Sequence, residues 1–307
     1  MSSLAIAVVP GAPEKERERA AVTALARAAA GTPIEQRAAL TKWLLSDGVW
    51  GAISRLGRAP SGKLAGIARR LPADDGTAWL EHEMAVNAAS AAAGIRAITR
   101  SDPDWPTALH DLGMNGPIAL WVSGDISHLS RPTLAVVGSR QMSALGYTRV
   151  HKAVAMVQGT IVSGLAVGAD GAAHRAALQH GRPTVAVLPS GLDVFYPSSH
   201  RQLAQMILDA GGALVTEYPA GTSAIRFRFL DRNRIIAALG QGTLIAEASM
   251  LSGTMNEARH ARSLGRSVGA FVGTSGADWL ISEGHAIAVH NRTDLESLYD
   301  VDDGLAI

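Results

Sequence analysis

The sequence predicts an α/β protein with a doubly wound, mostly parallel Rossmann-like sheet, preceded by a small all-helical N-terminal domain. Two observations lead to this prediction. From Thr133 onward, apolar runs of about three to six residues alternate with helical stretches, and most runs end in a loop with Gly or Ser. Continuous apolar strands separated by helices are typical of a parallel sheet covered on both faces. Before residue 95, apolar residues recur at spacings of three and four, the period of an amphipathic helix.

The N-terminal region, residues 1–95, is predicted to fold as a helical domain. It is rich in Ala, Arg, Glu and Leu, and its helical spacing is illustrated by Val22, Leu25 and Ala29. We expect four or five short helices here. The region carries no chemical motif, so the expected role is packing or interaction.

A short lead-in connects this region to the main sheet. Arg96–Thr99 is strand-like, Asp102–Pro106 is prone to turn, and Ile118–Val122 is a second apolar strand. The predicted Rossmann-like domain, 96–307, begins with this lead-in. The strands predicted after it are 134–137, 160–162, 184–188, 213–216, 243–246, 268–272 and 286–289.

Composition narrows the functional classes. A hydrophobic fraction of 47% with 18% charged residues excludes a disordered chain. The net charge is +1, so only a local basic patch could attract a polyanion. Cysteine is absent, which excludes disulfides, cysteine nucleophiles and thiolate metal sites. No apolar run is long enough to span a membrane, and Leu4–Val9 is too short for a signal peptide, so we expect a cytoplasmic protein without membrane association.

The loops that follow the strands are the candidate site, because ligands of a doubly wound fold bind at the carboxyl ends of the strands. Gly138-Ser139-Arg140 follows the first strand of the main sheet. Here a glycine admits a close ligand, a hydroxyl can donate a hydrogen bond, and a guanidinium can bind phosphate through two hydrogen bonds.

The loop after the second strand is rich in glycine and opens a helix. It runs from Ser163-Gly164 to Gly168, and His174 lies in the helix that follows. Backbone N–H groups at such a helix start point toward a bound anion. The glycine spacing does not meet the dinucleotide-binding fingerprint, and no acidic residue closes the next strand. We therefore expect phosphate binding rather than NAD chemistry. The candidate contacts are Ser163, Gly164, Gly168 and His174, together with Gly191 in a further tight loop after the third strand.

The densest signal is a segment of interleaved arginines and phenylalanines, 226–236. It holds four arginines within nine residues and two of the chain's four phenylalanines. Arginine binds phosphate and stacks on bases, while aromatic rings stack on unpaired bases. The composition favours single-stranded nucleic acid, with Arg228, Arg232, Asn233 and Arg234 as candidate contacts. The alternative is a solvated helix start whose phenylalanines belong to the core.

A second helix start is predicted at Ser252-Gly253-Thr254, where backbone amides could cradle another phosphate. No catalytic constellation converges, since histidines and carboxylates in strand-end loops more often cap helices or hydrogen-bond the backbone. The ten histidines show no metal-ligand spacing. We expect no catalytic residue, no metal and no cofactor.

Several motifs occur in a characteristic order. They are Val136–Arg140, Ser163–Leu165, Gly168–Asp170, Ala173-His174, Gly191–Asp193, Tyr196-Pro197, Thr216–Pro219, Arg232–Ala237 and Ser252-Gly253. This ordered set resembles the DNA-processing protein A family, also called DprA or Smf. The resemblance covers about residues 96–300, and the helical region before it is similar in character to the SAM-like domain that often precedes the family's Rossmann-like domain.

The resemblance implies a protein that binds single-stranded DNA without chemistry. It implies a homodimer formed through the Rossmann-like domain, which protects incoming DNA and loads the RecA recombinase in natural transformation and homologous recombination. It also implies phosphate contacts at Arg140 and at Arg232–Arg234. The implied pocket is shaped by Gly138, Ser139, Ser163, Gly164, Ser252 and Gly253.

Some features depart from the family pattern. Val167 stands where the family commonly has Arg, which removes one expected basic contact. The loop 273–279 replaces the family's usual loop after the sixth strand. The chain ends at Ile307, and no C-terminal winged-helix domain is expected.

An enzyme is the alternative. Gly253-Thr254-Met255-Asn256-Glu257 resembles part of the motif of nucleotide phosphoribohydrolases, which cleave the N-glycosidic bond of a nucleoside monophosphate. Glu257 and Arg232 would then act on the ribose, although the flanking double glycine of that family is replaced by Leu251-Ser252. A module that binds a nucleotide as a sensor, without turnover, is a third hypothesis.

Overall fold

The structure, a computed structural model, describes residues 12–58, 64–71 and 77–299. In the part before residue 95 the described residues are mainly helical, as predicted. α2 is interrupted at Gly48, whose φ of 70° lies in the left-handed region that glycine adopts without strain. The helices are α1 Glu14–Ala29, α2 Ile34–Arg58, α3 Ala65–Ala68 and α4 Thr77–Ala92.

A nine-stranded sheet follows, in the order β1-β2-β6-β5-β4-β3-β7-β8-β9. The pairs β1–β2 and β2–β6 are antiparallel, and the remaining pairs are parallel. This confirms the predicted doubly wound, mostly parallel fold. The strands are β1 Ile95–Thr99, β2 Ala119–Gly124, β3 Thr133–Val137, β4 Thr160–Ser163, β5 Thr184–Val187, β6 Ala213–Thr216, β7 Gly242–Ile245, β8 Ser267–Ala270 and β9 Ile287–Ala288.

Helices cover the sheet between its strands. A 3₁₀ segment, Thr107–Asn115, joins β1 to β2 and packs against α2 and α8. The helices after β3 are α5 Ala144–Met156, α6 Ala169–Gln179, α7 Arg201–Asp209, α8 Arg226–Leu239, α9 Gly253–Ser263, α10 Ser275–Ser282 and α11 Arg292–Glu296.

The strand order places the site. From β3 the chain builds β4, β5 and β6 on one side, and α8 then carries it back so that β7 pairs with the other side of β3. The strand order therefore reverses between β3 and β7. The Ser139 N–H donates to the Glu247 carbonyl oxygen at 2.7 Å, which ties together the loops that leave these two strands. Ligands of open α/β sheets bind in the crevice at such a reversal.

The N-terminal helices pack directly on one face of the sheet. One apolar cluster contains Leu25 and Leu40 from α1 and α2 together with Leu188, Leu203 and Leu214 from the sheet side. Burying one leucine side chain completely stabilises the folded state by roughly 1.5–3 kcal/mol. The helices therefore share a core with the sheet. Two further clusters lie against the sheet, with β3 and its neighbours contributing to both.

Among the described residues, no helix combines the length and the apolar character that crossing a membrane requires.

Candidate nucleic-acid interface

The loop after β3 lies at the reversal of strand order, where the sequence predicts a ligand. A Cβ at Gly138 would lie 2.9 Å from the Ala169 Cβ and 3.0 Å from the Glu247 carbonyl oxygen. A side chain at Gly138 would therefore push apart the three loops that meet here. Arg140, two residues further on, is exposed. The loop thus combines a close-packed backbone with an exposed basic side chain.

Arg140 lies against the ring of Phe229, which is itself paired with the ring of Tyr196. Its guanidinium carbon is 4.7 Å from the centroid of the Phe229 ring. The Tyr196 ring meets Phe229 edge to face, with centroids 5.3 Å apart. Tyr196 is 45% exposed and Phe229 is half-buried. These three residues, from the loops after β3 and β5 and from the first turn of α8, form one surface that we call the Arg140–Phe229–Tyr196 surface.

The sequence pointed to this surface only in part. Phe229 belongs to the arginine- and phenylalanine-rich segment 226–236, but the contacts predicted in that segment are all polar side chains. Tyr196 belongs to a family motif and carries no signal of its own for binding. Only the folded chain brings Tyr196 to Phe229, because 33 positions of sequence, which include α7 and β6, separate them.

The loop after β4 offers backbone rather than side chains. Ser163 is buried, and its hydroxyl donates to a backbone carbonyl of β3 at 2.6 Å. A methyl group at Gly164 would overlap the Arg232 guanidinium. Gly168 precedes α6 with a φ of 78°, and a side chain there would collide with the Ser139 carbonyl oxygen. The packing of this loop therefore requires small residues at Gly164 and Gly168. The contacts with phosphate predicted at Ser163, Gly164 and Gly168 stay predictions.

Arg232 lies beneath this loop rather than on the surface. It is 4% exposed, its Nη1 donates to the Val187 carbonyl oxygen at 3.3 Å, and it lies 3.8 Å from the Asp170 carboxylate. This corrects the predicted phosphate contact, because burial and a carboxylate partner leave the guanidinium no access to a DNA strand. Glu257, its partner in the hydrolase alternative, is also buried. Burial raises the pKa of Glu257 well above its usual value, against the opposing charge of Arg232.

Arg234 is also internal. It donates from both terminal nitrogens to the two oxygens of Glu217, each at 2.7 Å, and from Nε to the Asn115 carbonyl oxygen at 2.6 Å. Burial alone would raise the pKa of Glu217, but Arg234 and Arg37 lower it to about 2. The predicted phosphate contact at Arg234 is corrected for the same reason as at Arg232, since its donors are already used inside the protein.

Arg228 is half-buried at the start of α8. Its guanidinium carbon lies 5.1 Å from the centroid of the Tyr218 ring, and its terminal nitrogens donate to the carbonyl oxygens of Ser223 and Ala30. The contact with Ala30, at 3.3 Å, ties α8 to the end of α1. Arg228 therefore stabilises the start of α8. The residue is partly exposed, so the predicted contact with DNA stays a prediction.

His174 does not reach the surface. It is fully buried, its Nδ1 lies 2.7 Å from the Thr184 hydroxyl, and burial lowers its pKa to about 3. A neutral, buried imidazole does not bind phosphate, so this predicted contact is corrected. Gly191 is buried as well, and its N–H already donates to the Thr222 carbonyl oxygen at 2.9 Å, so the predicted phosphate contact at Gly191 is also corrected.

The start of α9 is the second predicted phosphate cradle. Ser252 precedes the helix, and its hydroxyl donates to the Ser249 carbonyl oxygen at 2.7 Å. Gly253 is exposed and has open space where a Cβ would be, whereas Thr254 is buried. Asn233, a predicted contact, is buried and donates to the Gly253 carbonyl oxygen at 3.2 Å. Only the exposed backbone at Ser252 and Gly253 remains available to a ligand.

The structure therefore divides the predicted residues into two groups. Arg140, Ser139, Gly253 and Ser252 lie at the accessible carboxyl edge, with Arg228 partly so. Arg232, Arg234, His174 and Asn233 lie inside and hold the elements that form this edge.

A comparison with protein families supplies an independent finding. The family model described as DNA recombination-mediator protein A matches residues 96–300. The Smf protein of Escherichia coli (strain K12) is 41% identical over 191 residues, which are 59% of this chain and 51% of that protein. The DNA processing protein DprA of Streptococcus pneumoniae is 40% identical over 191 residues, 60% of this chain and 67% of that protein. The match thus spans about half the length of the E. coli relative.

Solved structures give a matching result. The X-ray structure of DNA processing protein A from S. pneumoniae superposes with a TM-score of 0.71 at 29% identity, covering 92% of this chain and 98% of that one. DNA processing protein A from Helicobacter pylori, whose structure is described for its single-stranded DNA binding mode, superposes with a TM-score of 0.59 at 27% identity. That comparison covers 66% of this chain and 95% of the H. pylori chain.

Proposed function

Because this chain belongs to the DNA recombination-mediator protein A family, we propose that it binds single-stranded DNA along the carboxyl edge of its sheet. The bound strand is protected and passed to a RecA-type recombinase, in DNA uptake and in homologous recombination. The protein acts by binding and performs no chemistry on the strand. It works in the cytoplasm as a homodimer, with residues 1–95 as a helical domain and residues 96–307 as the DNA-binding domain.

One observation carries the proposal, the Arg140–Phe229–Tyr196 surface. Its guanidinium can neutralise a phosphate, and unpaired bases can stack on the exposed part of its aromatic rings. Stacking accepts every base, so little sequence preference is expected. A duplex keeps its bases stacked on one another and cannot use the rings, which favours the single strand.

The neighbouring backbone complements this surface. The loop of Gly138 and Ser139 and the exposed start of α9 at Gly253 lie at the same edge of the sheet. Phosphates that follow the base on Phe229 would run along this edge toward backbone N–H groups. The net charge of +1 adds no general attraction, so affinity must come from the local groups named here.

Family membership supports the larger role, and the H. pylori relative is described as binding single-stranded DNA. The hydrolase alternative has less support, because Glu257 and Arg232 are both buried, at 3% and 4% exposure. The recombinase partner and the dimer are proposed from the family resemblance.

The test is a fluorescence-anisotropy titration of a labelled poly-dT strand at two salt concentrations, beside the matching duplex. We expect preferential, salt-sensitive binding of the single strand that Arg140→Ala weakens severalfold. The matched control is Arg55→Ala, which also removes an arginine lying over a ring, that of Trp43 at 5.6 Å, but in α2. Equal binding by wild type and Arg140→Ala would refute the site, and no binding of poly-dT would refute the function.

A further inference from the structure

Arg37 joins the N-terminal helices to the helix that carries Phe229. It lies in the first turns of α2, and its side chain is 7% exposed. Its Nη1 is 3.0 Å from the Glu217 carboxylate, and its Nη2 forms an ion pair with Asp231. Glu217 directly follows β6, and Asp231 is on α8. One buried guanidinium therefore connects α2, the end of β6 and α8.

The charges in this cluster balance. Arg37 and Arg234 supply two positive charges, while Glu217 and Asp231 supply two negative ones. Glu217 is shared, since one oxygen faces Arg37 and both accept from Arg234. Removing Arg37 would leave one negative charge in excess in a region with little water, and a buried charge without its partner destabilises the elements around it.

The part of α8 held in this way is the part that faces the proposed DNA site. Asp231 lies two positions after Phe229, and Arg228 in the turn before it donates to the Ala30 carbonyl oxygen at the end of α1. The first two turns of α8 thus have two attachments to the N-terminal helices, one from Arg228 and one from Arg37 through Asp231. Phe227, 40% exposed, and Leu230, 42% exposed, lie in the same two turns and are too exposed to hold them by packing.

We propose that Arg37 is a positioning residue, which fixes the first turn of α8 through Asp231 and Glu217 and so sets the place of Phe229 for a bound single strand. For its effect on DNA the proposal rests on the proposed function. The N-terminal helices then take part in nucleic-acid binding without touching the strand. A guanidinium is required, because its fork reaches two carboxylates from different elements at once.

The test uses the full chain with Arg37→Met and, as the matched control, Arg27→Met. Arg27 pairs with the buried carboxylate of Glu83 at 3.0 Å, so its loss also leaves an unpartnered carboxylate, but between α1 and α4 and away from α8. Amide hydrogen exchange followed by mass spectrometry reports on the first turn of α8, and a poly-dT titration reports on binding.

We expect Arg37→Met to speed amide exchange in residues 226–231 while that of β3–β5 stays unchanged. Its affinity for poly-dT should fall about tenfold. The salt dependence of binding should stay that of the wild type, because no phosphate contact is lost. Arg27→Met should leave exchange in 226–231 and DNA affinity unchanged.

Three results would overturn the proposal. These are wild-type exchange in 226–231 after Arg37→Met, equal loss of affinity in both variants, and a reduced salt dependence, which would make Arg37 a phosphate contact. If Arg37→Met does not fold, Arg37→Lys replaces it, with a smaller change expected in the same direction because one charge remains. A wild type that binds no poly-dT would refute the proposed function, and the exchange comparison would still decide whether Arg37 holds α8.

Discussion

The Arg234 guanidinium and the Glu217 carboxylate form a two-pronged ion pair inside the protein, with both N–O distances at 2.7 Å. The pair connects α8 to the loop that follows β6. An arginine in a basic, aromatic segment is thus used to fix the helix, and the part of the segment at the proposed DNA site is its first turn.

Replacing Arg234 with Met should lower the free energy of unfolding by about 3–5 kcal/mol, because Glu217 would remain buried with one partner fewer. Urea denaturation measures the change. Arg292→Met, which breaks an exposed pair with Glu296 within one helix, should leave the urea midpoint unchanged. A stable Arg234→Met protein with a weaker salt dependence of DNA binding would instead restore Arg234 as a phosphate contact.

Gly164→Ala should destabilise the fold by about 1–3 kcal/mol, because the added methyl group overlaps the buried Arg232 guanidinium. Gly253→Ala is the matched substitution at the same edge of the sheet, where nothing lies within 4 Å of the added atom. It should change stability by less than about 0.5 kcal/mol. Thermal or urea unfolding of both variants measures the difference, and equal stability of the two would contradict the close packing of Gly164 on Arg232.

Phe229→Leu should weaken binding of poly-dT roughly fivefold or more, since loss of one stacked base costs about 1–3 kcal/mol. The salt dependence of binding should be unchanged, because leucine removes a ring and no charge. Tyr196→Phe keeps the edge-to-face pair and should bind as the wild type does. Anisotropy titrations over a series of salt concentrations separate the two effects. Full affinity in Phe229→Leu would remove the ring from the proposed site.

Glu257 should make the free energy of unfolding depend on pH. Burial raises its pKa in the folded protein well above the 4.5 of an exposed glutamate. Between these two pKa values the folded protein keeps a proton that the unfolded chain has lost, so stability falls as pH rises above 4.5. Glu257→Gln cannot ionise and should show a flatter decline over that range.

Urea unfolding at a series of pH values tests this expectation. Glu81→Gln, at an exposed position of α4, is the control and should keep the wild-type slope. A Glu257→Gln slope equal to that of the wild type would mean that Glu257 is ionised in the fold.

The sequence by itself determined the architecture. Continuous apolar runs separated by helical stretches predict strands that are buried on both faces. The strands of the structure begin and end within about two residues of the predicted positions. The sequence also showed where the strand-end loops pack closely, because only glycine leaves room at positions 138, 164 and 168, where a Cβ would collide with neighbouring atoms. Such steric requirements act over short distances and leave a local trace.

Only the tertiary structure decided which polar side chains face the ligand. The local sequence around a helical arginine does not show whether its guanidinium contacts solvent or a buried carboxylate. The carboxylate partners of Arg232 and Arg234 lie in other segments of the chain, which the local pattern does not connect to α8. The same holds for Tyr196, which reaches Phe229 from another loop. Charge and aromatic content are properties of a segment, whereas exposure and partnership arise when distant segments pack together.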